Sequence, residues 1–459
     1  MFCKCLFSRY YGTYEGFRPV LVLKDPELIK QLGVKDFDHF KNHKDLVPEG
    51  SDHMWERNLF ALKDEKWRHM RQTLSPSFSK SKLKTVFSLI TDYVKNYVRY
   101  YEEQTGPICL DMKDALSRFT NDVIATTAFG INCDSIRNRN NEFYQKGKAI
   151  SNIYGITFVA KLFALRLFPK LSKTLGIHFF SKNVCDFFTN LIRENLQNRR
   201  KNNIVRRDFI QILMESLKNE NVADNKPNGL MNGEVTMTPN ENVVDDYITS
   251  QAMLFFFAGF DTVSNTINFM AYELAINVDV QERLQKEVDE TFSENNDNIT
   301  YEALTKMKYM DMVITESLRK WTPPVNIIRV CNKPYTVEAV GDEPSVHLKK
   351  GAIVWIPIHA SHRNPEIYPN PDRFDPERFS DENKSTMHPY SFFSFGVGPR
   401  MCIGNRFALM EIKLLFSYML RTFNIVVNDK TVTPIKICPK SHRVIAKYPI
   451  WLNLERRRL

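Results

Sequence analysis

Phe395-Gly396-Val397-Gly398-Pro399-Arg400-Met401-Cys402-Ile403-Gly404 runs directly into an apolar-periodic stretch, Asn405 to Leu420. Gly398 and Gly404 let the chain turn tightly and pass close to a flat ligand, where a Cβ would clash. Cys402 stands just ahead of the predicted helix, whose free N–H groups can point at the sulfur and favour the thiolate. Arg400, two residues earlier, is placed to pair with an acidic group of the same ligand. Such a loop suits a thiolate that binds a metal from one side.

The rest of the chain is globular in composition. Of its 459 residues 43% are apolar and 25% charged, enough for a sizeable core. The 33 phenylalanines favour a large apolar interior or pocket. A net charge of +10 suits nucleic acid, an anionic membrane or an acidic partner. No zinc-finger spacing and no long Lys/Arg tract occurs, so nucleic acid drops out of the expected partners. Eight scattered cysteines without a CxxC pair indicate reduced thiols on the cytosolic side of any membrane. Cys3 and Cys5 read as ordinary terminal thiols. There is no uncharged apolar run of the ~18 residues that a spanning helix needs, and no signal-peptide h-region.

Taken in order, residues 11–32 predict a strand, a second strand Val20–Leu23, and a helix opened by Asp25-Pro26. Residues 36–62 read as a long loop. Trp67 and Arg71 share one helix face at i, i+4 spacing, and an indole N–H beside a guanidinium suits a buried carboxylate. Lys63, Lys66, Arg68, Lys80, Lys82 and Lys84 form a basic face. Helices are expected over 81–102 and 111–129, with Gly130 as a stop, and again over 170–218. Ile153–Phe168 reads as a core helix in preference to an interfacial one, with Lys161 and Arg166 snorkelling. Residues 219–241 are a linker.

Val243–Ile276 is the longest helical pattern, about 50 Å at 1.5 Å per residue. It is apolar nearly all round, as a buried helix is. Gly259 within it needs a reason, such as close approach of a planar ligand. Thr262 can bond back to the Ala258 carbonyl and bend the helix, and Asp261 beside it can relay protons from solvent. Glu316 and Arg319 lie at i, i+3 on a further helix, and 335–358 and 424–454 show strand-like alternation.

Phe395-x-x-Gly398-x-Arg400-x-Cys402-x-Gly404 resembles the haem-binding loop of the cytochromes P-450 at every fixed position. Trp67-x-x-x-Arg71 resembles that family's propionate-binding WxxxR. Ala258-Gly259-x-Asp261-Thr262 is similar to its oxygen-activation motif, with Asp where many members have Glu. Glu316, Arg319 and Arg378 resemble its structural triad. Arg329 matches a second propionate-binding arginine. His362 resembles another haem contact, although a partly exposed polar residue near a strand end is the preferred reading there. The likeness runs in order from residue 11 to about 455, and is closest to microsomal insect enzymes of the drug- and insecticide-metabolising branch.

The resemblance implies a mainly α fold, the cytochrome P-450 fold, in which a large helical domain with small β-sheets surrounds a buried haem. Residues 1–459 would be a single catalytic domain. It implies haem b with Cys402 as iron ligand, and Arg400, Trp67, Arg71, Arg329, Phe395, Gly404 and Ala258 against the cofactor. Asp261 and Thr262 would be catalytic, handling protons during oxygen activation. The expected reaction inserts one oxygen atom from O2 into a lipophilic small molecule. Electrons would come from NADPH through a flavoprotein reductase, which would dock on the basic face. A haem-thiolate isomerase or dehydratase without a reductase, and a haem-based sensor, are the alternatives. The expected setting is the cytosolic face of the endoplasmic reticulum membrane. Microsomal members carry an N-terminal membrane helix and a proline-rich hinge that this sequence lacks, so it is expected to be a fragment.

Overall fold

The computed structural model describes residues 8–151, 155–206, 208–215, 241–439, 441 and 443–458. Cys3, Cys5 and almost all of the expected linker 219–241 lie outside them. The chain divides into two compact units.

One unit comprises Asp45–Thr105 and Lys113–Ser264, and its described elements are helical. Three helices matter here: α1 (Asp64–Leu74), α2 (Met112–Ala128) and α3 (Glu241–Ile276), which runs on into the other unit. Helix α1 buries Trp67, Met70 and Leu74, one apolar stripe at helical spacing. Phe255, Phe256, Phe257 and Phe260 of α3 divide among separate aromatic clusters, because successive residues turn by ~100°. Phe256 packs on Phe129, Phe143 and Phe188 and stacks on Phe260, with ring centroids 5.2–6.0 Å apart. Phe255 meets Phe78 and Phe209, and Phe257 meets Trp55 and Phe180. Gly259 has a packing reason: a Cβ there would stand 3.0 Å from Ile124 Cδ1 of α2.

The expected core helix at 153–168 is corrected. Gly155–Leu167 is helical, but Val159, Phe163, Leu167 and Phe168 are exposed, as are Leu171 and Leu175 just beyond. Lys161 turns inward and donates to the Phe179 carbonyl at 2.8 Å. Apolar content does not tell which elements cover a helix, and here most of this apolar surface faces outward.

The other unit comprises the chain up to Lys44, Gly106–Met112 and Asn265 onward. It holds β1 (Tyr10–Glu15), β2 (Arg18–Leu23), β3 (Asn42–His43), β4 (Ile108–Asp111), β5 (Ile327–Val330), β6 (Tyr335–Val337), β7 (Val346–Leu348), β8 (Ile353–Ile356), β9 (Phe423–Val427) and β10 (Trp451–Arg456). They form sheets of order β1-β2-β8-β5-β3, β4-β10-β9 and β6-β7. In the largest, β2 and β8 are parallel and the other pairs antiparallel. Its register sets His43 opposite Arg329 and Arg329 opposite Val354. Helices α4 (Lys308–Lys320) and α5 (Asn405–Thr422) complete the framework.

The sequence signals at the start of this unit are realised. Asp25 caps the helix Pro26–Lys30, accepting from the Leu28 N–H at 3.0 Å. That helix continues as a π-helical turn, Gln31–Lys35. Leu28, Ile29, Leu32 and Phe40 join Leu23, Val354, Ile356, Phe393 and Val397 in one buried cluster. The result is the expected fold class, mainly helical with small sheets.

Candidate cofactor site

The cysteine loop is shaped by two glycines with positive φ, Gly396 at +87° and Gly398 at +67°. A Cβ on Gly398 would also collide with the carbonyl oxygen of Gly33 and stand 3.0 Å from its carbonyl carbon. The loop closes on itself where the Cys402 N–H donates to the Phe395 carbonyl at 2.8 Å. Gly404 is the N-cap position of α5, so the exposed Cys402 thiol lies two residues before it. The unsatisfied N–H groups of a helix's first turn favour negative charge nearby. Among the described residues, no group of three His, Cys, Asp or Glu side chains converges as a metal site.

Buried cations gather in the same unit. Arg400, 8% exposed, donates from Nε to the Lys41 carbonyl at 2.8 Å and from Nη2 to Asn42 Oδ1 at 3.4 Å. Arg329 is 3% exposed, and burial lowers its pKa to about 10. Among the described residues no carboxylate pairs with it. Its neighbour across the sheet is His43, whose pKa is held well below the usual value by burial, by Arg329 and by Arg400. The ring is therefore neutral. Arg329 Nη1 stands 2.9 Å from His43 Nδ1 and 3.1 Å from Nε2, so the unprotonated ring nitrogen accepts from the guanidinium. A buried guanidinium without a counter-charge is costly. The donor set thus fits a ligand that brings its own carboxylates, as a haem does. His43 was missed from the sequence, where a lone histidine in a polar loop carries no signal.

In the helical unit, α1 places Trp67, buried, and Arg71, half-buried, one turn apart. The basic face around them is partly neutralised: Lys63 pairs with Asp45, Arg68 with Glu65 and Lys82 with Glu215. On α3, Ala258 is exposed, and Phe257 and Gly259 on either side of it are half-buried. Thr262 Oγ1 donates to the Ala258 carbonyl at 2.5 Å, the expected back-bond. Asp261 is buried, and Lys113 Nζ lies 2.9 Å from its Oδ1 and 2.8 Å from Ser264 Oγ. This side of α3 offers a small residue, an alcohol and an acid within two turns. Lys113 was also missed, since nothing in its local sequence points to Asp261.

Glu316, Arg319 and Arg378 come together. Arg319 Nε and Nη2 donate to Glu316 at 2.6 and 2.8 Å, the Asp375 N–H adds a bond at 2.8 Å, and Arg378 Nε stands 3.6 Å away. Burial nonetheless raises the Glu316 pKa. His362 is not partly exposed. It is wholly buried, and Nε2 accepts from the Phe393 N–H at 3.0 Å. Burial, with Arg319 and His359 nearby, lowers its pKa to about 3. Its neutral ring is thus a fixed acceptor for the segment that leads into the cysteine loop.

A thiol at a helix N-terminus with buried cations in the same unit is the equipment of a protein that binds a metal through sulfur and pairs the acid groups of the metal's carrier. The family model described as "Cytochrome P450" matches residues 2–452, and the chain belongs to the cytochrome P450 family, the haem monooxygenases. Cytochrome P450 9e2 of Blattella germanica is 43% identical over 468 residues, covering 98% of this chain and 86% of that protein. Probable cytochrome P450 9f2 of Drosophila melanogaster is 37% identical, covering 98% and 87%. Probable cytochrome P450 6a23 of the same fly is 35% identical, covering 97% and 86%. The expected likeness to insect members holds. The family implies a haem, a redox-partner reductase and lipophilic substrates.

Proposed function

We propose that the chain is a single catalytic domain that holds haem b through the Cys402 thiolate. It inserts one atom of O2 into a lipophilic small molecule with electrons passed from NADPH by a flavoprotein reductase. The observation that carries this reading is the exposed Cys402 thiol ahead of α5, in the same unit as the buried and uncompensated Arg329. Bound through a thiolate, the haem supplies dioxygen activation, because sulfur pushes electron density toward the iron.

Each part of the chain then has a task. Arg400, Arg329 and Arg71 would neutralise the propionates, Trp67 would donate to them from its indole N–H, and Phe395, Gly404 and Ala258 would leave room for the ring. Thr262 would hold a proton at Oγ1, and Asp261 would resupply it by taking protons from solvent and passing them on through its carboxyl group. The basic face of α1 suits an acidic reductase. The exposed Phe163, Leu167, Phe168 and Leu171 suit a membrane surface, which favours the cytosolic face of the endoplasmic reticulum.

The test is reconstitution of the haem-loaded chain with NADPH, a microsomal flavoprotein reductase and a panel of lipophilic substrates under 18O2. One labelled oxygen atom per product, dependent on NADPH, is expected. Turnover of a peroxide substrate without NADPH would replace this reading with the isomerase one.

A further inference from the structure

We propose that the segment Gln31–Asn42 is the seat of the cysteine loop and that Gly33 is a positioning residue for Cys402. The inference rests on Cys402 being the haem ligand.

Gly33 sits in the π-helical turn Gln31–Lys35, closed by the Asp36 N–H donating to the Gln31 carbonyl at 2.8 Å. Such turns carry one residue more than an α-turn and often mark functional positions. Gly33 is not among the glycines with positive φ, so its backbone conformation would accept a side chain. Space would not. A Cβ on Gly33 would stand 2.7 Å from Val397 Cγ2 and 3.5 Å from Val397 Cβ. In return, a Cβ on Gly398 would strike the Gly33 carbonyl and lie 3.7 Å from Val34 Cα. The two backbones are in direct contact: the Gly33 carbonyl leaves no room for a Cβ on Gly398, and the Val397 side chain leaves none for a Cβ on Gly33.

The same segment grips the loop a second time where the Lys41 carbonyl accepts from Arg400 Nε at 2.8 Å. Loop residues 398 and 400 are thus both fixed from 31–42. Cys402 is tied back to Phe395 by its own N–H, so a shift of Val397–Gly398 is passed on to the sulfur. Val397 cannot yield easily, being 4% exposed within the cluster of Leu32, Phe40 and Phe393. Relieving a 2.7 Å contact to an ordinary carbon–carbon distance needs a movement of roughly 1 Å. Functional groups must be held within about 0.5 Å. Gly33 therefore sets the height at which the thiolate is presented.

The experiment compares the wild type, Gly33→Ala, Val397→Ala and the double variant as haem-loaded full chains. The readout is the carbon monoxide difference spectrum after reduction, taken at equal haem content, with circular dichroism as the control for folding. Gly33→Ala is expected to lose at least half of the thiolate-ligated band to the shorter-wavelength band of neutral ligation. The double variant should regain most of it, because removing the Val397 methyl groups makes room for the new Cβ. If Gly33→Ala fails to fold, recovery of a folded thiolate form in the double variant gives the same support. A Gly33→Ala spectrum like the wild type's, or a double variant no better than Gly33→Ala, overturns the proposal. A wild type without the thiolate band overturns instead the assignment of Cys402 on which it rests.

Discussion

Lys113 Nζ lies 2.9 Å from Asp261 Oδ1, and the lysine side chain is 33% exposed where the aspartate's is 8%. The acid beside Thr262 is therefore largely buried and paired with a cation that reaches solvent. Asp261→Asn should lower product formation about 100-fold, the range for loss of a general acid, with substrate binding within about twofold of wild type. Lys113→Met leaves the carboxylate without this partner and should lower stability by about 1–2 kcal/mol, less than for a fully buried pair. Product formation and spectral substrate titration check the first, and urea unfolding the second.

Arg319 and Glu316 are both wholly buried, and Arg378 approaches Glu316 only to 3.6 Å. Arg319→Met would strand a buried carboxylate, at a cost of about 3–5 kcal/mol. Urea unfolding should show that loss, together with reduced haem content on expression.

Glu411 is wholly buried on α5, neither carboxyl oxygen has a hydrogen-bond partner among the described residues, and burial raises its pKa well above the carboxylate range. The folded chain keeps a proton that the unfolded chain releases above about pH 4.3. Its contribution is complete below that pH and is lost as pH rises toward the folded pKa, by up to about 1.4 kcal/mol per pH unit. Glu411→Gln should therefore match wild type near pH 4 and exceed it at pH 8, in unfolding curves taken across that range.

Phe163 and Phe168 expose most of their side chains. If they enter a lipid surface, replacing both by serine should weaken binding to anionic vesicles at least tenfold, since burying one Phe contributes about 1.5–3 kcal/mol. Vesicle sedimentation measures this directly.

What was legible in the sequence is what local spacing determines. The cysteine loop ahead of α5, the Thr262 back-bond and the Glu316–Arg319 pair each lie within one stretch of chain. The cap at Asp25 and the strands flanking Gly16 are local in the same way. The residues that escaped owe their meaning to partners far off: His43 to Arg329, 286 positions away, and Lys113 to Asp261, 148 away. No periodicity encodes such a meeting. Phe163 and Phe168 show the converse limit, since an apolar run has the same pattern whether or not another element covers it. His362 was misjudged for a similar reason, its burial being imposed by Phe392 and Phe393.

The most direct measurement is the carbon monoxide difference spectrum of the reduced, haem-loaded chain beside that of Cys402→His. The wild type should show the far red-shifted Soret band of thiolate ligation, and the histidine variant the band at shorter wavelength. A folded wild type that binds haem but shows only the shorter-wavelength band, or a Cys402→His variant that keeps the red-shifted one, would contradict Cys402 as the iron ligand.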